Sequence, residues 1–243
     1  MCRYSLVLFV LVLFVSCSSI NTSIDSDYAD KYFANQILTI LPLHVDSLIS
    51  SDITGFSQSF DINSSNAKSF MCDTLNNTIK IYAPRYSKKI TIKSIPDNSN
   101  WFKSFDIASN FMFVKKKLDN NETIKFKIPK KSFLDSIGIK SDFVLSFNKV
   151  IIGGYSPNYI TTPVTTSGVT MGITSSISGE FKATSEFIIW DYSLNKPMKF
   201  GIQSSSIELS SLSNSDNNSE KWKSIFRMIA KDLFNDTPFD AGF

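Results

Sequence analysis

A single histidine, His44, is all that 243 residues hold. A zinc site built from two or three imidazoles is excluded, and a Ser–His or Cys–His nucleophile pair has only that ring to draw on. Glycine is scarce too, and none of the nine falls into a G-x-G-x-x-G or P-loop cradle for phosphate. The three cysteines, Cys2, Cys17 and Cys72, are too few for a disulfide framework. No apolar run approaches the about 20 residues that a stable membrane-spanning helix needs. The nearest match to a nucleophile elbow, Gly154-Tyr155-Ser156-Pro157-Asn158, lacks the closing glycine of G-x-S-x-G. Asp25-x-Asp27 lacks the glycine and terminal glutamate of a calcium loop. Glu180 and Glu186 fall on one face of a candidate strand but about 20 Å apart, too far for a carboxylate pair. The residues therefore nominate no catalytic group, no metal ligands and no cofactor, and an enzyme is not the expectation.

What is present starts at the amino terminus. Arg3 and the free amine precede a ten-residue apolar run, residues 6–15, and a small residue, Ser16, follows. These are the proportions of a secretory signal covering residues 1–16. Phe14-Val15-Ser16-Cys17 resembles the lipobox of bacterial lipoproteins, although leucine is usual where Phe14 stands. The resemblance implies that Cys17 is acylated and becomes the new amino terminus. One acyl chain binds a bilayer only marginally, at about 0.8 kcal/mol per buried methylene. The two or three chains of a lipoprotein cysteine make the anchor durable. By the same resemblance, Ser18 and Ser19, with no acid after the cysteine, favour delivery to the outer membrane over the inner one. The other reading is an ordinary signal peptide cut nearby, with Cys17 a bystander. Either way the chain leaves the cytoplasm, and a nucleic-acid partner is not expected.

Hydrophobic residues make up 42% of the chain and aromatics 13%, enough to build a core and to argue against global disorder. The charge is unevenly placed. Residues 18–79 hold two basic and seven acidic side chains, residues 80–149 fifteen and six, and residues 150–243 seven and nine. The basic middle is densest in VKKKLDNNETIKFKIPKK, residues 114–131. It reads as a surface meeting anionic lipid, glycan or peptidoglycan, or else as the solvated face of lysine-edged strands that resist edge pairing.

Patterning places the elements. Residues 18–30, rich in Ser, Asn, Thr and Asp, read as a tether with a reach of roughly 20 Å. Residues 31–243 read as one globular domain. An apolar strand ends at Pro42, a short helix is expected over 64–76, and Ile90 and Ile92 alternate with Thr91 and Lys93 in a half-exposed strand. NFMFV and TIKFKI form a hairpin around Asp119-Asn120-Asn121. Pro129 and Gly138 bracket a helix. Phe143, Leu145 and Phe147 then line one face of a central strand, with Val144, Val150 and Ile152 on the other. Residues 153–180 read as a long Ser/Thr/Gly-rich loop, or as a β-ribbon, since Val169, Met171 and Ile173 alternate with Thr170 and Gly172. Strands from Phe181 to Tyr192 and from Met198 to Ile207 form a hairpin. Trp222, Ile225, Phe226, Ile229 and Leu233 mark the apolar stripe of a terminal helix with Ser219 as N-cap. Cys72 reads as a small buried hydrophobe.

The fold class that follows is α/β (or α+β), a mixed sheet with a few packed helices and the last helix docked on it. ILTILPL (37–43), SDFVLSF (141–147) and FIIWDYSLNKPMKFG (187–201) resemble segments of a domain found in three groups of envelope proteins. They are the curli-secretion channel lipoprotein, the activator lipoproteins of penicillin-binding proteins, and the amino-terminal domain of the Tol-system propeller protein. The resemblance spans most of residues 35–235. It implies a non-catalytic accessory role in envelope transport or assembly, with a protein or glycan partner besides the bilayer. The glycine-rich and helical signatures of a pore-forming member are not evident. Two other readings stand beside it: a secreted or periplasmic hydrolase using His44 or Ser156, and an assembly that inserts residues 160–180 into a membrane.

Overall fold

The structure, a computed structural model, describes residues 21–28, 33, 35–88, 90–95, 107–155, 158–166, 169–178, 180–208 and 218–240. It is α/β. The main sheet has seven strands in the order β1 (Asn21–Ile24), β11 (Lys196–Glu208), β10 (Glu180–Asp191), β7 (Phe143–Tyr155), β2 (Gln36–Ile40) and β4 (Ile90–Ser94), with β3 (Leu48–Ser50) beside β7 as well. The sheet is mixed: β2–β4, β2–β7 and β3–β7 run parallel, and the β7–β10–β11–β1 half is antiparallel. β2 and β3 occupy successive stretches of one edge of β7, Leu38–Ile40 against Phe143–Leu145 and Leu48–Ser50 against Val150–Ile152. Between them Pro42, which has no N–H for the ladder, takes the chain out of the sheet as expected. Asn76 holds this excursion, accepting from the N–H of Leu43 at 2.8 Å and donating to its carbonyl at 3.1 Å.

Two apolar clusters lie on opposite faces of the sheet. On one face, α1 (Ile53–Ser59), α2 (Ser64–Tyr86) and α4 (Asn218–Asp232) bury Phe56, Met71, Leu75, Ile79, Trp222, Phe226 and Ile229 against Phe143, Leu145, Phe187 and Ile189. Trp222 meets Phe56 and Phe181 edge-on, with centroids 5.0 and 4.7 Å apart, an arrangement favoured by the ring quadrupoles. On the other face, the β5 (Phe111–Lys117) and β6 (Thr123–Pro129) hairpin and α3 (Lys131–Ser136) cover Val144, Ile188 and Trp190 with Phe111, Ile124, Phe126, Ile128 and Leu134. α3 ends as the sequence suggests: Gly138, at φ +78°, donates to Asp135 at 3.1 Å and Ile139 donates to Leu134 at 2.9 Å, the two bonds of a Schellman cap.

Five expectations change. Part of the supposed tether is built into the sheet: Asn21–Ile24 pairs with Lys199–Ile202 and Tyr28 is fully buried, because the outer edge of β11 offers it a ladder. The helix expected over 64–76 runs on to Tyr86, since Leu75, Ile79 and Ala83 extend its buried stripe. Val150 and Ile152 lie on the same side as Phe143, Leu145 and Phe147, not opposite. The β7–β10 register steps by one at Asn148, and such a bulge flips every later side chain. The 153–180 segment contains two paired strands, β8 (Asn158–Thr166) and β9 (Val169–Ser178), so the ribbon form replaces the loop. Its pairing keeps the β7–β10 phase: Tyr155 faces Phe181, and Asn158 then faces Ser178. Ser219 lies inside the first turn of α4, which begins at Asn218, rather than preceding it.

Candidate functional site

Cys17 and Ser156 lie outside the described residues. His44 serves as a cap: its Nδ1 accepts from the N–H of Asp46 at 3.3 Å, at the start of the 3-10 turn Val45–Ser47. A nitrogen that accepts there cannot also donate to the Asp46 carboxylate 3.5 Å away, so the neutral cap and the ion pair exclude each other. Cys72 is buried, donates to the Leu43 carbonyl at 3.1 Å, and has its pKa pushed up to about 12 by burial. Glu180 pairs with Lys182 at 2.7 Å and Glu186 accepts from Asn148 at 2.7 Å, and the two stay six positions apart on β10. Asp25 and Asp27 both grip the ammonium of Lys196, so a cation does hold them, but it belongs to the protein. Among the described residues no helix is long and apolar enough to cross a membrane.

The sequence places Asp191 at a turn but gives no sign of its burial, nor of that of Lys199 in β11 and Asp232 in α4, whose apolar neighbours mask them. Asp191 ends β10 and accepts at one oxygen from the N–H groups of Ser193 and Leu194 and the Ser193 hydroxyl, and at the other from the Tyr28 hydroxyl at 2.9 Å. Burial first, then Asp191, raises the Tyr28 pKa far above the usual phenol range. Lys199 is fully buried, donates to the Asn235 carbonyl at 2.6 Å and lies 5.5 Å from the centre of the Phe187 ring. Burial lowers its pKa to about 8, against the pull of Asp236, Asp232 and Asp240. Asp232 accepts from Ser205 at 2.6 Å and Asn235 at 2.9 Å, yet burial still raises its pKa. Each of these groups fastens one element to another: Asp191 holds the amino-terminal segment, and Lys199 and Asp232 hold the chain after α4.

A small depression of about 20 Å³, open to solvent, lies at the carboxyl ends of the parallel strands β2 and β4 beside α2. Strand carboxyl ends are where open α/β sheets place their crevices. Pro42 opens it by turning the chain aside, and Asn76, Asn77, Lys80 and Ser94 supply its polar lining. Lys80 is the one charged group among the described lining residues.

The basic middle of the sequence resolves into a face. On the β5–β6 hairpin, Met112, Val114, Ile124, Phe126 and Ile128 point to the sheet, and Phe113, Lys115, Lys117, Thr123 and Lys125 point to solvent. Lys127 is half-buried on the same outer row. Register sets Lys115 directly across from Lys125 and Phe113 across from Lys127. The Lys125 ammonium lies 4.2 Å from the centre of the Phe113 ring, and that ring is still 51% exposed. Lys115, Lys117 and Lys125 have no carboxylate partner among the described residues.

No known protein family and no curated protein matches the sequence. Among solved structures the chain is similar to a hypothetical protein of Chlamydia trachomatis, at 11% identity over 82% of this chain and 98% of that one, with a TM-score of 0.35. It is similar to PelC of Paraburkholderia phytofirmans, a dodecamer, at 11% identity over 84% and 91% of the two chains, with a TM-score of 0.31. It is also similar to a neuraminyllactose-binding hemagglutinin homolog of Helicobacter pylori, at 7% identity over 84% and 81%, with a TM-score of 0.35. At these scores the likenesses carry no argument about what this chain does.

Proposed function

We propose that this chain is a non-catalytic lipoprotein of the bacterial cell envelope, anchored through acylated Cys17, whose α/β body binds another envelope component in a transport or assembly role. The observation that carries the reading is the Ser16-Cys17 step behind ten apolar residues. The geometry supports it in a second way. With β1 in the sheet, only residues 18–20 separate Cys17 from the folded body. Chain of that length reaches at most about 14 Å, so an anchor at Cys17 holds the body against the membrane rather than on a long leash. The buried ionisable groups Asp191, Lys199 and Asp232 are engaged in fastening elements together, which suits a binding scaffold. Mass spectrometry of the protein from bacterial membranes should find an amino-terminal, diacylated or triacylated Cys17, and Cys17→Ala should move to the soluble fraction when the membranes are washed in high salt, which removes charge-based binding. An unacylated mature terminus, or retention of Cys17→Ala through the high-salt wash, rejects the reading.

One observation favours a second reading, a membrane-inserting assembly. β8 and β9 are nine and ten residues long, close to the 9–11 residues of a bilayer-crossing strand. Residues 150–179 contain no Asp, Glu, Lys or Arg. Detergent extraction under this reading yields a ring-shaped oligomer that is lost when residues 156–179 are replaced by Asn-Gly; a monomer in detergent rejects it.

A further inference from the structure

We infer that the outer face of the β5–β6 hairpin is a docking surface for anionic lipid headgroups, so that the body lies on the bilayer through this face. Like charges set directly across a strand pair weaken the pair, yet Lys115 stands opposite Lys125, with Lys117 beside them and no carboxylate paired with any of the three among the described residues. Stability alone is not served by that row, and a polyanionic partner removes the repulsion. Within residues 107–140 there are eight lysines and no arginine. Arginine's planar fork suits bidentate recognition of a discrete carboxylate or phosphate, and compact ammonium groups suit a diffuse field of negative charge. The face is the outer surface of a two-stranded hairpin, and none of its residues lines the depression at Pro42 and Ser94. An extended flat partner needs no concavity, and a short glycan or peptide does. Phe113, half-exposed among the lysines, adds an apolar ring at the depth where headgroups meet acyl chains.

The anchor point agrees with this placement. Ser23 of β1 pairs with Phe200, and Phe200 touches the hairpin through Phe126, at 6.5 Å between centroids, and Lys116, at 5.8 Å. The chain from Cys17 therefore enters the body beside the hairpin, and its reach of about 14 Å is comparable to the roughly 10 Å between packed sheet layers. The lysine argument stands without acylation; only the anchor's agreement rests on the proposed function.

The test uses the full chain carrying Cys17→Ser, so that no acyl group contributes, and measures partition to phosphatidylglycerol-containing vesicles against pure phosphatidylcholine vesicles. Each lysine near an anionic surface is worth about fivefold in partition. Preference for the anionic vesicles should fall with added salt, and should drop about a hundredfold in K115Q/K117Q/K125Q, whose circular dichroism and melting should match the parent. Phe113→Ala should weaken binding without changing the salt slope. Lys68→Gln with Lys80→Gln, on α2 across the sheet, should leave the preference within about twofold. A parent with no preference for anionic vesicles, a triple variant that keeps it, or a parent that binds soluble polygalacturonate and ignores anionic vesicles would each overturn the inference. A native chain whose Cys17 carries no acyl group, with the vesicle preference intact, would reject the proposed anchor and leave this face standing.

Discussion

Two residues carry consequences out of proportion to their size. Gly153, near the end of β7, sits at φ +122°, and a Cβ there would lie 2.0 Å from the Ser51 hydroxyl and 3.2 Å from the Ser51 nitrogen. Gly153→Ala should cost about 1–3 kcal/mol in urea denaturation, and adding Ser51→Ala should recover only the side-chain part of the clash, leaving the backbone strain. Lys199 sets the alkaline behaviour. Its folded pKa of about 8 lies below the unfolded 10.5, so the unfolded chain binds more protons between those values and stability rises with pH across that window. The gain between pH 8 and 10 should be about 2 kcal/mol, and Lys199→Met should abolish it in denaturation curves taken across that range. Tyr28 and Tyr192 act with the opposite sign above pH 10: their folded pKa values are raised, so the unfolded chain ionises first and stability falls again.

At the scale of elements, the β7 bulge decides which face of the sheet Val150 and Ile152 pack on. With Asn148 as the extra residue, Val150 and Ile152 join Phe143, Leu145 and Phe147 under the helices. Deleting Asn148 should turn residues 149–155 over, expose two buried side chains, and leave no cooperative melting transition. Asn148→Ala keeps the chain length, loses one hydrogen bond to Glu186, and should cost only about 1 kcal/mol. This element also shows where sequence reading stops. The strand itself, the β10–β11 hairpin, the β5–β6 hairpin and the Gly138 helix end were legible because alternation, turn residues and a C′ glycine are local signals. A bulge has no local signature, since Asn148 is an ordinary polar residue until its pairing is known. α2 was read too short because Asn76-Asn77-Thr78 and the β-branched residues after it are poor helix formers, and tertiary burial of Ile79 and Ala83 overrides that preference. β1 was read as tether because Asn-Thr-Ser-Ile has almost no apolar pattern; it is a strand through backbone pairing alone. The lysine density of the hairpin face was legible, while its separation into an inner apolar and an outer cationic row needed the register. Asp191 is legible as a turn residue, and Ser193 and Leu194 do bond it, but its tie to Tyr28 is not legible and Lys199 gives no signal, because a buried ionisable group is recognised by its partners, and those lie 163 and 36 positions away.

At the scale of the whole molecule, one sheet carries helices on one face and a hairpin on the other, and β8 and β9 form a two-stranded sheet of their own. Its strands pair with each other and with no other described strand. Replacing residues 156–179 with Asn-Gly should therefore leave the melting temperature of the body within a few degrees by calorimetry, whichever reading of the ribbon holds. A large loss of stability would show that the ribbon supports the body. The sheet's wiring also governs when the protein can form at all. β1 and β3 have no strand partners before residue 143, and β2 has only β4. A ribosome that has delivered half the chain has thus released nothing able to close into a stable unit. β1 and β3 wait without their partner strands until β11 and β7 arrive. Such a polypeptide stays threadable for as long as it is being made, which is the state a narrow export channel demands of its cargo.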